Sequence, residues 1–102
     1  MSTPLTLHTG HHPDGRPLLA AHGEIDMTNV AAFNTALAAA VAEGIPVVVD
    51  LTGVEYLDSG AITALFAHAE HLHLIPNPLL LPTLTTSGMT TLATVEHPDT
   101  HP

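Results

Sequence analysis

Apolar and polar residues alternate along this chain in two rhythms, one proper to strands and one to helices. Leu5-Thr6-Leu7-His8-Thr9 changes character at every residue, the period of an exposed strand. His12-Pro13-Asp14-Gly15 reads as a turn, because proline, aspartate and glycine each favour the dihedral angles of a reversal. Pro17 to Gly23, with Leu18, Leu19, Ala20 and Ala21, follows as a more apolar strand, and the two strands make a hairpin. The period then lengthens. Val30, Phe33, Leu37 and Val41 recur at helical spacing, with Thr28 or Asn29 as N-cap and Gly44 and Pro46 as the stop. The opposite face of that helix, Asn34, Thr35, Ala38, Ala39 and Ala42, is small and almost uncharged.

Val47-Val48-Val49-Asp50-Leu51 has too long an apolar run for a strand with one wet face. It predicts a buried, central strand from Pro46 to Leu51. Thr52 to Asp58 reads as a polar loop, and Ser59 as the cap of a second helix that turns Ile62, Leu65, Phe66 and Ala69 inward. His71 to Ile75 alternates again and predicts a strand, cut to three or four residues where the helix runs on through Leu72. Asn77-Pro78 opens a third helix, Pro82 predicts a kink or a tight first turn in it, and Gly88 ends it. Thr91 to Glu96 reads as a last strand.

Strands alternating with helices predict an α/β fold, a small mixed β-sheet of four to five strands flanked by helices. The expected organisation is one domain over residues 1–102, with its core in about 4–96 and a flexible tail at 97–102. Phe33, Leu37, Val47, Val49, Leu51, Ile62, Leu65 and Phe66 are expected to be buried together.

Composition narrows the chemistry. Phe33, Tyr56 and Phe66 are the only aromatic residues, so the core is aliphatic. The absence of cysteine removes disulfides, thiolate metal sites and thiol catalysis. No apolar run approaches the length of a membrane span, and Met1 to Pro4 carries no secretory signal, so a cytoplasmic protein is expected. Ten acidic residues face a single basic one, Arg16, for a net charge of −9. That balance opposes binding to nucleic acid or to an anionic membrane, both of which need lysine and arginine. It suits a protein partner with a basic face, or serves solubility alone. Nine histidines lower the charge below about pH 6.5.

Three stretches resemble the STAS domains of bacterial anti-sigma-factor antagonists. Gly23-Glu24-Ile25-Asp26 is similar to their Gly-Glu-(Leu/Ile)-Asp motif. Val47 to Ser59 is similar to their central segment, an apolar strand, Asp-Leu-Ser/Thr, and then (Leu/Met)-Asp-Ser before a helix. Leu74-Ile75-Pro76-Asn77-Pro78 through Ser87-Gly88 is similar to their last strand–helix pair. The resemblance implies the same small mixed sheet. It also implies a non-catalytic regulator that binds an anti-sigma factor and so frees a sigma factor, that anti-sigma factor often being a serine kinase. The family places its phosphoacceptor at the start of the second helix, in a run Asp-Ser-Ser-Gly. Here the run is Asp58-Ser59-Gly60-Ala61. Aligned without a gap, Gly60 stands at the acceptor position and Ile62, Leu65 and Phe66 stay inward. A one-residue gap makes Ser59 the acceptor, but turns Ile62 outward and Ala64 inward.

The candidate partner-binding residues are Asp26, Thr28, Asp58, Ser59, Gly60 and Thr63. Ser59 is the candidate phosphorylation site, its hydroxyl expected to be engaged in capping. Asp26 and Asp58 also read as helix-capping acids. As a pair of carboxylates they suggest acid–base chemistry, but no nucleophile, base and orienting group converge in sequence, so no enzyme is expected. His68, His71 and His73 invite a metal reading. The His-Glu-x-x-His pattern is absent, and the expectation is no metal and no cofactor. The alternative of another class is a small-ligand or nucleotide-sensing STAS module. Against it, Gly53 and Gly60 are isolated and form no phosphate loop, and only Arg16 and Tyr56 offer a basic or aromatic lining. A degenerate domain that only fills out an assembly is a third alternative.

Overall fold

The computed structural model describes residues 3–96; Met1, Ser2 and the expected tail at 97–102 lie outside them. The hairpin forms from β1 (Thr6–His11) and β2 (Pro17–Ile25). Helix α1 (Val30–Glu43) leads to β3 (Val47–Leu57), and α2 (Ser59–Ala67) leads through a 3-10 turn at Ala69–His71 to β4 (Leu72–Pro76). A second 3-10 turn, Pro78–Leu80, precedes α3 (Leu81–Thr86), α4 (Met89–Leu92) and β5 (Thr94–Val95). The strands lie in the order β1-β2-β3-β4-β5, the first pair antiparallel and the other pairs parallel. The predicted α/β class, the mixed sheet and the central place of the valine strand all hold.

Sequential parallel strands joined by right-handed crossovers must carry every connecting helix on one face of the sheet. The core agrees. Leu19, Ile25, Val47, Val49, Leu51 and Leu74 from the sheet and Phe33, Leu37, Leu65, Leu84 and Met89 from the helices form one buried cluster. The other face carries no helix among the described residues. It presents Leu18, Ala20, His22, Val48, Asp50, His73 and Ile75.

Several expectations need correction. Thr52 to Leu57 is strand, not loop. The register of β2 on β3 slips twice, between Ala20 and His22 and between Gly23 and Glu24. Each slip inserts one extra β3 residue, and such bulges erase the period-two pattern by which a strand is read. Helix α2 ends at Ala67 and does not run through Leu72, because the 3-10 turn gives the short crossover its reversal and leaves β4 five residues. In α2 the buried positions are Ala61, Ala64 and Leu65, while Ile62 and Phe66 are only partly buried against the core. Small residues let α2 approach the sheet closely, so Ala64 lies inward and Ile62 no longer distinguishes the two alignments at Gly60. The tight turn expected at Pro82 is the 3-10 segment, with Pro82 in the first turn of α3, where no amide is needed. The last strand shrinks to Thr94–Val95, because Met89 to Leu92 forms a helical turn after Gly88 takes a left-handed conformation at φ 86°.

The glycine of Gly23-Glu24-Ile25-Asp26 has a steric reason. Gly23 has φ +101°, and a Cβ there would lie 2.2 Å from the carbonyl oxygen of Pro4. The segment before β1 crosses at this point, and Glu24 N donates to Thr3 O at 3.1 Å. Only a residue without a side chain allows that approach.

Candidate functional site

Parallel strands β2 and β3 end side by side, with Ile25 in register with Leu57. Their next residues, Asp26 and Asp58, therefore stand at one edge of the sheet, where the N-termini of α1 and α2 also lie. The edge is tied by Asp58 N, which donates to Ile25 O at 2.8 Å. The loops that leave these strand ends lead straight into helices, so side chains here stand at the surface on a rigid scaffold.

Asp26 is held by its own turn. Thr28 donates to Asp26 Oδ1 from both its amide, at 2.9 Å, and its hydroxyl, at 2.5 Å. The Thr28 hydroxyl, followed by the Thr28 amide, lowers the Asp26 pKa below the ordinary carboxylate value, so Asp26 is an anion at neutral pH. Asn29 occupies the N-cap position of α1 but does not cap it through its side chain. It reaches back instead, accepting from Asp26 N and donating to Glu24 O, both at 2.9 Å. Sequence reasoning saw a cap at Asn29 and missed this clamp on the strand end.

At α2 the expected cap is displaced by one residue. Asp58, not Ser59, is the N-cap, and its Oδ2 accepts from Gly60 N at 3.3 Å. Asp58 has the extended backbone that a cap requires, with φ −70° and ψ 160°. Ser59 is the first helical residue, is exposed, and its carbonyl accepts from Thr63 Oγ1 at 3.0 Å. The expectation that capping engages the Ser59 hydroxyl fails for this reason.

Gly60 and Thr63 open into a shallow groove between α1 and α2. Val30, Ala31, Asn34, Ala64 and Ala67 complete its lining. Of the six candidate residues, Asp26 and Thr28 are thus bonded together at the strand edge, Asp58 and Ser59 start α2, and Gly60 and Thr63 lie in the groove. The sequence did not single out the α1 wall of the groove. Its signal was the small outer face of α1, of which Asn34 alone belongs to the lining. Met27, next to Asp26, and Tyr56, two residues before Asp58, are large apolar side chains left exposed at 81% and 49%.

The other sequence candidates are dispersed. His73 Nδ1 lies 2.9 Å from Arg16 Nη1, and His73 Nε2 lies 3.3 Å from Glu96 Oε2. His71 pairs with Glu70 at 3.4 Å and His11 with Glu43 at 2.8 Å. Among the described residues no three metal-ligating side chains come together. Arg16 lies at the start of β2, and Tyr56 pairs with Glu24 near its end, so the two do not line one pocket. No helix among the described residues is long and apolar enough to cross a membrane.

Comparison with known proteins fits this geometry. No curated protein matches the chain. Among solved structures, an anti-sigma factor antagonist from Mycobacterium paratuberculosis is 27% identical with a TM-score of 0.82, over 95% of this chain and 88% of that one. The anti-sigma factor antagonist SpoIIAA in its unphosphorylated form is 12% identical with a TM-score of 0.71, over 92% and 90%. An antisigma-factor antagonist STAS domain from Rhodobacter sphaeroides is 20% identical with a TM-score of 0.51, over 72% and 86%. At 12% and 20% identity the likeness is one of fold. The family described as "Mlab, STAS domain" matches residues 8–94, from the middle of β1 into β5. Because that match takes in Gly23, Asp26, the Asp58 cap and all but the ends of the sheet, the chain belongs to the STAS domain family.

Proposed function

We propose that this STAS domain is a non-catalytic regulator that binds an anti-sigma factor through the edge where β2 and β3 end. The observation that carries the reading is the placement of Asp26 and Asp58 at adjacent strand ends, above a groove that Gly60 and Thr63 line. A small-residue groove is cheap to desolvate, and two carboxylates at its head favour a partner with basic side chains. The similarity to anti-sigma factor antagonists, 27% identical in one case, supports the class of partner. A cytoplasmic location goes with it. The dispersal of Arg16 and Tyr56 weighs against the small-ligand alternative.

The same reading includes the loss of the usual serine switch. Gly60 has no hydroxyl to modify. Ser59 is exposed and is not held by a cap, so phosphate mapping after incubation with the kinase-type anti-sigma factor and ATP is the decisive test of this part. Stoichiometric phosphate on Ser59 overturns it.

The binding face is tested by calorimetric titration with the purified anti-sigma factors of the source cell. Asp58→Asn keeps a side chain that caps α2 and removes its charge, so weaker binding with an unchanged melting temperature is expected. Asp58→Lys should weaken binding further, but it also loses the cap and places a cation at a helix N-terminus, costing about 1–2 kcal/mol of stability. Wild-type affinity in both variants rules this face out.

A further inference from the structure

We infer that the space left open by Gly60 is a socket for one aliphatic side chain on a helix of the protein partner, whose basic residues lie over Asp26 and Asp58. This rests on the partner-binding reading and specifies what the groove receives. Gly60 is not required by the backbone, since its φ lies outside the positive range that Gly15, Gly23 and Gly88 occupy. Nor is it required by packing. A Cβ at position 60 would lie 3.4 and 3.6 Å from the two Val30 methyls and 3.5 Å from Asp58 Oδ2, which is ordinary contact. A glycine in the first turn of a helix gives up helix stability relative to alanine. What the molecule gains is an opening with Val30 as its wall and Ala31, Ala64 and Ala67 beside it.

The charge of the surroundings selects the occupant. Arg16, the only Lys or Arg in the sequence, is held by Asp14 and His73 at the start of β2, away from the strand ends where Asp26 and Asp58 lie. A second copy of this chain would bring acid against acid at net charge −9 and is disfavoured. A helix with a leucine, isoleucine or methionine, and with lysine or arginine three or four residues away, presents both chemistries on one face. Asn34 and Thr63 supply polar groups at the groove walls.

The test is titration of the purified anti-sigma factors of the source cell into wild type, Gly60→Ala, Gly60→Ser, Ala31→Leu and Asp58→Asn, without ATP. Gly60→Ala should hold or raise the melting temperature and weaken binding by about tenfold or more, because overfilling a fitted contact is costly. Gly60→Ser should weaken binding equally although no phosphate is present. Ala31 is exposed, so Ala31→Leu blocks the same space without disturbing the core. In the wild-type complex the Val30 methyl resonances should shift. If Asp58→Asn weakens binding while all three filling variants bind as wild type does, the socket is wrong and the face stands. If none of the variants changes affinity, or no anti-sigma factor binds wild type, the functional reading falls and the socket with it.

Discussion

The two faces of this sheet exclude water by different means. On one face, α1 and α2 with the shorter helical turns cover an aliphatic cluster that includes Leu19, Val49, Leu65 and Leu84. On the other no helix lies among the described residues, yet Val48 is as fully buried as Val49, both at 0% exposure. Val48 stands in register between Leu18 on β2 and His73 on β4. Arg16 spans β3 to reach His73, and Glu96 closes on the far side of that imidazole. A long amphipathic side chain that reaches across β3 in this way can lay its methylene stem on the open face, with its guanidinium bonded to Asp14 and His73. Burial of one valine does not by itself reveal which cover it has. The difference also accounts for the one strong cation of an acidic chain being spent on the fold and not on a partner.

The sharpest way to test the contrast is to open the helix-covered side. Phe33 is fully buried in α1 against the sheet, and Phe33→Ala leaves a cavity that neighbours can fill only in part. The expected loss is about 3–5 kcal/mol by urea unfolding. A loss below about 1 kcal/mol would place the main store of stability elsewhere than under the helices.

How much of this was legible in sequence follows from the same contrast. Elements whose signal is local were readable. Phe33 and Leu37 at helical spacing, the valine run of β3 and Asn77-Pro78 at a helix start each fixed an element. The Asp58-Ser59 pair located the start of α2 to within one residue. Signals that depend on another strand were not readable. Thr52 to Tyr56 looks like loop because two bulges break its alternation, and their cause is the pairing with His22 and Glu24. Asn77 was read as a cap, but it also donates to Val54 O at 3.1 Å, which pins the far end of β3. The candidate site divides in the same way. Asp26 and Asp58 were found because each precedes a helix and stands in a stretch that resembles a STAS motif. Val30, Ala31 and Ala64 were not, because a groove exists only once two helices lie side by side.

The smaller expected effect is on the open face. Arg16→Ala removes the side chain that crosses β3 and its bonds to Asp14 and His73. Because Arg16 is partly exposed, the loss should be about 1 kcal/mol. Arg16→Met keeps an unbranched apolar stem and should recover part of that loss. Equal destabilisation by the two variants would mean that the polar bonds matter more than the cover. If neither has an effect, Arg16 contributes nothing to closing this face.

The smallest effect concerns the acid at the end of the same strap. Asp14 Oδ2 accepts from Arg16 Nε and Nη2, both at 2.8 Å, and Asp14 Oδ1 accepts from the Arg16 amide at 3.1 Å. Hydrogen bonds from the Arg16 side chain, then from its amide, hold the Asp14 pKa at about 2, down from the ordinary 3.8. Because the folded value is depressed, the stabilisation is fully present above 3.8 and is lost as pH falls through about 2. Asp14 is exposed, so solvent and salt screen the pair and the contribution is small. Asp14→Asn should therefore unfold slightly more easily than wild type at pH 5, and the gap should close as pH approaches 2. Asp26 is also depressed but is present in both proteins, so subtracting the two urea-unfolding curves isolates Asp14. A gap that stays constant from pH 5 to pH 2 would mean that ionisation of Asp14 plays no part in the strap. The open face would then be closed by the apolar stem of Arg16 alone.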